Sequence, residues 1–121
     1  MTTIIDTNIW LLTITDNFPV FNEANRVLDN PEIAVTEAIL DELQTLCEQG
    51  ERPACTAHNL IQSKGLKIVS STTEYADDDI VNAATAANRS VITNDKDLTK
   101  QLKEHDVTVY KPRQRSHLIK A

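Results

Sequence analysis

Two periods of apolar spacing alternate along this chain, one of strands and one of helices, from end to end. Thr2 to Ile5 is a short β-branched run that stops at Asp6-Thr7-Asn8, the pattern of a buried strand followed by a turn. Pro19 opens a helix with Val20, Phe21, Ala24, Val27 and Leu28 on one face, and Asn30-Pro31 breaks it. Ile33-Ala34-Val35 reads as a second strand. Thr36 then caps a helix with Ile39, Leu43, Leu46 and Cys47 at core spacing and Gly50 past its end. Pro53 starts a further helix that turns Leu60 and Ile61 inward and closes near Gly65, before a third strand from Leu66 to Val69. An alanine-rich helix follows over Ala76 to Asn88, with Ile80, Val81, Ala84 and Ala87 as its stripe. Ser90 to Thr93 is a fourth strand, Lys96 to Glu104 a helix, and Val107 to Tyr110 a fifth strand.

Strands separated by helices pair in parallel through crossovers, so the expected fold is α/β, a three-layer α/β/α sandwich around a mainly parallel five-stranded sheet. With 121 residues, one domain spanning 1–121 is expected, ending in a basic segment over residues 111–121. Sheets of this kind bind ligands beyond the carboxyl ends of their strands, where strand order reverses. Chemistry is to be sought there.

Composition adds constraints. Hydrophobic residues make up 40%, enough for a core, and no apolar run approaches the ~20 residues of a membrane helix. The N-terminus lacks the basic start and long apolar stretch of a secretory signal, so a cytoplasmic protein without a membrane partner is expected. In that setting Cys47 and Cys55 read as two reduced thiols; with His58 they match no common zinc spacing and lack a fourth ligand. The net charge of −6 argues against nucleic acid until its distribution is read. Residues 1–95 hold 5 Lys+Arg against 15 Asp+Glu, whereas residues 96–121 hold 7 against 3. An acidic body with a basic end suits an enzyme that gathers cations at one point and phosphates beside it.

Asp6 follows the first strand and Asp95 the fourth, so both project from the carboxyl edge. Asp77, Asp78 and Asp79 occupy the first turn of a helix entering from that edge, and Glu42 lies on the helix after the second strand. Singly, each has a structural role open to it: a turn at Asp6, dipole-favoured acids at 77–79, a cap at Asp95 or Asp97, a surface position for Glu42. Together they would repel unless a cation sat among them, and neither residues 1–17 nor 74–88 contain Lys or Arg. Oxygen-only donors suit Mg²⁺ or Mn²⁺, and a metal pair activates water against a phosphodiester.

On these residues the chain resembles the PIN-domain family, over nearly its whole length. Ile4-Ile5-Asp6-Thr7-Asn8 resembles the opening block, and Val35 to Leu43 the second, whose acid maps to Glu42. Tyr75-Ala76-Asp77-Asp78-Asp79-Ile80-Val81 resembles the third block and selects Asp77; Val91 to Leu98 resembles the fourth and selects Asp95. The wording is similar to the compact archaeal branch near VapC-type toxins and the PIN nucleases of ribosomal RNA maturation, with Thr36 where many relatives have Pro. The resemblance implies a Mg²⁺- or Mn²⁺-dependent endoribonuclease hydrolysing RNA with a metal-activated water, a homodimer and, in toxin members, an antitoxin partner. Asp6, Glu42, Asp77 and Asp95 would then be catalytic metal ligands, with Asp97 a fifth. Asn8, Thr93 and Asp78 would support them. Lys96, Lys100, Arg113 and Arg115 would contact RNA phosphates. At 4% aromatic residues, extended base stacking is not expected, nor is a catalytic role for His58, His105 or His117.

Competing readings are weaker. A haloacid-dehalogenase phosphatase needs a second Asp where Asn8 stands, and a response-regulator receiver needs an early acidic pair that is absent. Beside the toxin of a toxin–antitoxin pair, the alternatives that remain are an rRNA-processing PIN nuclease and a PIN-like scaffold that binds RNA or protein without cutting.

Overall fold

Ile4 and Ile5 are fully buried because their strand, β1 (Thr2–Ile5), pairs on both edges and is covered on both faces. The computed structural model describes residues 1–73 and 75–121. After β1 come α1 (Thr7–Thr15), α2 (Val20–Leu28), β2 (Glu32–Thr36), α3 (Glu37–Glu48), α4 (Arg52–Ser63), β3 (Lys67–Val69), α5 (Ala76–Ala86), β4 (Ser90–Ile92), α6 (Lys96–Glu104), β5 (Val109–Arg113) and β6 (His117–Lys120). The sheet order is β3-β2-β1-β4-β5-β6. Strands β1 to β5 are mutually parallel, as expected, and β6 is antiparallel to β5. Order therefore reverses between β1 and β4. Ligands are expected at that point.

Four local readings change. Asp6-Thr7-Asn8 is the start of a helix rather than a plain turn: Asp6 is extended and caps α1, which buries Ile9 and Trp10. The apolar run Ile9 to Leu12 hides this start because it shows no clean helical stripe. The sheet has a sixth strand: within the basic segment, residues 111–113 complete β5 and residues 117–120 fold back along it. The fifth strand starts at Val109; Val107 instead closes α6, its N–H reaching Leu102 O at 3.0 Å. Cys47 and Cys55 form a disulfide between α3 and α4 rather than standing as free thiols. Gly50, at φ +94°, reverses the chain between those helices and brings the two Cα atoms to 4.7 Å.

The predicted caps hold elsewhere. Thr36 Oγ1 accepts from Ile39 N at 3.1 Å, and Pro53 sits in the first turn of α4. Among the described residues no helix is long and apolar enough to cross a membrane.

Candidate metal centre

Asp6 stands one residue past the β1–β4 row, buried to 4% exposure, with both carboxylate oxygens engaged. Thr7 N donates to Oδ1 at 2.7 Å and Thr93 Oγ1 donates to Oδ2 at 2.7 Å. Burial pushes its pKa up from 3.8 to about 6; the two hydrogen bonds oppose this, and the charges of Asp77 and Glu42 add to it. Asp6 is thus a fixed acid with negative neighbours. Thr93, fully buried at the end of β4, also accepts from Asp95 N at 3.1 Å, so one hydroxyl links the acids of two strands.

The other acids arrive from three helices. Asp95 caps α6, its Oδ1 accepting from Leu98 N at 3.0 Å. Glu42 is exposed on α3, and its Oε2 accepts from Thr7 Oγ1 at 3.0 Å. Asp77 is exposed in the first turn of α5. Its pKa is nonetheless raised, by partial desolvation first and then by Asp95, Asp78 and Asp97. Asp6, Glu42, Asp77, Asp95 and Asp97 therefore share one electrostatic neighbourhood at the reversal point. Among the described residues no Lys, Arg or His pairs with any of them.

Oxygen donors without a counter-charge fit a hard divalent cation. No three described acids already stand close enough to enclose an ion. Mg²⁺ does not require that, since it keeps several waters and uses one or two carboxylates plus substrate oxygens. Asn8 is exposed in the first turn of α1 and makes no side-chain hydrogen bond among the described residues.

Asp79 departs from its two neighbours. It is 1% exposed and turned away from solvent, accepting from Ser71 Oγ at 2.7 Å and Thr72 N at 2.9 Å. Ser71 Oγ also accepts from Ala38 N at 2.8 Å, and Ser71 N donates to Glu37 Oε1 at 2.8 Å. This network ties the start of α5, which carries Asp77, to the start of α3, which carries Glu42. Reading the sequence missed Ser71, Asp79 and the hydroxyl of Thr7 as positioning groups. Ser71 has no local signal, and only the helical offset between Asp77 and Asp79 hints that they face different ways. Ser71→Ala strands a backbone N–H and a buried carboxylate, so a loss of about 1–3 kcal/mol is expected in urea unfolding. Wild-type stability in that variant would mean the network does not hold the two helices.

Beside the acids an open groove of about 1270 Å³ runs between α3 and the β3–α5 connection, with Glu42 and Asp77 on its walls and Leu40, Leu46, Ile68 and Tyr75 exposing apolar surface. Lys96 and Lys100 are exposed on α6, where with Thr99 and Lys103 they border a shallow depression of about 460 Å³. Arg113 and Arg115 lie on the β5–β6 hairpin, and Arg115 Nη1 is 3.4 Å from Asp16 Oδ2. His117 Nδ1 lies 3.6 Å from Glu23 Oε1, outside the acid cluster.

A family model described as "PIN like domain" matches residues 3–115. The chain is 31% identical over 119 residues to Ribonuclease VapC4 of Methanocaldococcus jannaschii, covering 93% of this chain and 90% of that protein. The fold matches the PIN domain endonuclease Utp24 at a TM-score of 0.84 and 20% identity, over 98% of this chain and 90% of that one. It also matches VapBC2 from Rickettsia felis, solved with a DNA fragment from its promoter, at 0.72 and 18% identity, over 93% and 100%.

Proposed function

The chain belongs to the PIN-like domain family, and from that membership we propose that it is a divalent-metal-dependent endoribonuclease, acting as the toxin of a toxin–antitoxin pair. One observation carries the reading: near the reversal point of the sheet the charges of Glu42 and Asp77 act on Asp6 and that of Asp95 acts on Asp77, and among the described residues none of the four has a basic partner. A Mg²⁺ or Mn²⁺ ion held there supplies Lewis acidity and a water of lowered pKa for hydrolysis of an RNA phosphodiester.

The chain's own groups have distinct parts. Asp6 is the anchored ligand, oriented by Thr7 N and Thr93 Oγ1. Asp95 is held by its helix cap, and Glu42 is steered by the Thr7 hydroxyl. Asp77 and Asp97 complete the donor set from the first turns of α5 and α6, Asp78 adds negative charge beside them, and Asn8 is placed to bond a ligand or its water. Lys96 and Lys100 on α6, with Arg113 and Arg115 on the hairpin, contact phosphates beside the cut. The toxin role is supported by the VapC4 relative, and the groove next to Glu42 suits an antitoxin segment that combines basic and apolar side chains. A homodimer belongs to the same reading, and sedimentation checks it.

RNA incubated with Mg²⁺, Mn²⁺ or chelator tests the proposal. Cleavage that needs the metal is expected; binding without cleavage under either ion would leave a non-cleaving scaffold. Adding Mg²⁺ or Mn²⁺ is also expected to raise the Tm at pH 7.5, and to do so much less at pH 4–5, where carboxylates take up protons instead. A Tm indifferent to metal at pH 7.5 would count against a cation site.

A further inference from the structure

Strands β1 and β4 both stop at the row that aligns Ile5, Ile92 and Tyr110. Strand β5 does not stop there. It runs three residues further to Arg113, a rise of about 10 Å past that row. The β5–β6 hairpin therefore overhangs the edge that carries Asp6 and Asp95. From Val107 to Ala121 the sequence has no acidic residue, and Lys111, Arg113 and Arg115 are all exposed.

The overhang is braced. Buried Glu23 of α2 accepts from Leu118 N at 2.8 Å, and Arg26 Nη2 donates to Leu118 O at 2.9 Å. Pro112 pairs with buried Leu118, so those two share one face of the hairpin, while Lys111 and Arg113 take the other. Right-handed crossovers leading away from the reversal point in opposite directions set α2 and α6 on opposite faces.

The turn is the third observation. Ser116 N bonds Arg113 O at 3.3 Å, and both central residues, Gln114 at φ 54° and Arg115 at φ 59°, are left-handed. Asn-Gly suits such a turn and arginine does not. A charged side chain stands where the fold would prefer glycine. Its contact with Asp16 is 78% exposed on the arginine side and contributes little, leaving the guanidinium free for another anion.

We infer that the β5–β6 hairpin is a rigid basic arm that grips the RNA phosphate backbone on one flank of the bond to be cut. This rests on the nuclease reading above and adds the arm, its bracing and its turn to it. Lys111, Arg113 and Arg115 meet successive phosphates as the strand leaves the acids. Their contribution is electrostatic and indifferent to sequence.

The test measures binding of a single-stranded RNA by fluorescence anisotropy in chelator, where nothing is cut, at several salt concentrations. Arg113→Gln with Arg115→Gln is expected to lower the salt slope by about 1.4, so that the wild type's advantage shrinks about sevenfold between 50 and 200 mM salt. Gln114→Asn with Arg115→Gly removes the second charge while giving the turn its preferred residues. That variant is expected to gain a few degrees in Tm and still lose about 0.7 from the slope. Arg52→Gln, at the start of α4, should leave the slope unchanged. An unaltered slope in both hairpin variants overturns the arm, as does RNA affinity that merely follows Tm. Failure of the wild type to cut RNA with Mg²⁺ or Mn²⁺ would instead overturn the nuclease reading, whatever the slopes.

Discussion

Asp6→Asn is expected to lower RNA cleavage by about 10²–10³-fold while making the metal-free protein more stable at neutral pH. The loss follows from removing the anchored charge of the proposed cation site, where several kcal/mol of transition-state stabilisation is at stake. The gain in stability follows from burial. Asp6 has its pKa raised from 3.8 to about 6 in the fold, so its ionisation opposes folding. That difference corresponds to about 3 kcal/mol, absent below the ordinary pKa, growing as pH rises and complete above about pH 6. Asparagine does not ionise, and its amide can accept from Thr7 N and donate to Thr93 Oγ1, the two partners Asp6 already has. In chelator at pH 7.5 the variant should melt several degrees above wild type, with the gap closing toward pH 4. A variant that still cleaves RNA, or one that melts no higher at pH 7.5, would sink the argument.

Glu23→Ala is expected to have the opposite effect, a loss of about 2–3 kcal/mol at neutral pH centred on the C-terminal hairpin. Glu23 takes two nitrogens of Arg26 and the backbone N–H of Leu118. The hydrogen bonds from Arg26 are the main reason its pKa falls from 4.5 to about 2, with Leu118 N and the nearby charges of Arg26 and His117 assisting against burial. Because the folded pKa is depressed, this contribution is present above about pH 4.5 and is lost as pH falls toward 2. Asp6 and Glu23 therefore titrate in opposing senses, and the metal-free wild type should be most stable near pH 4–5. Thermal melts across pH 2–8 check this. In Glu23→Ala the acid limb should flatten while the neutral limb stays. An acid limb of equal steepness in both proteins would show that Glu23 is not the anchor of β6.

Much of the fold was legible in the chain. The parallel order of β1 to β5, the Thr36 cap and the bounds of α6 all follow from short-range preferences that any stretch of residues carries with it. The same holds for the acids after β1 and β4, because a residue that ends a parallel strand must sit at its carboxyl edge. The hairpin was not legible. Its turn uses Gln114 and Arg115 at positive φ, where the local signal would have been glycine or asparagine. The disulfide was missed for a similar reason, since it depends on how closely α3 returns along α4.

By itself the sequence determined which elements form and which blocks carry acids, because periodicity and capping act over a few residues. Only the tertiary structure decided what each acid does. Asp77 and Asp79 are two positions apart on one helix, yet Asp77 is exposed under the charges of Asp95 and Asp97 while Asp79 is buried against Ser71 and Thr72. Glu23 is buried because Leu118, 95 positions away, comes to rest on it. Whether a carboxylate is desolvated, paired or left free is a property of neighbours the chain brings from far off. No short window contains them.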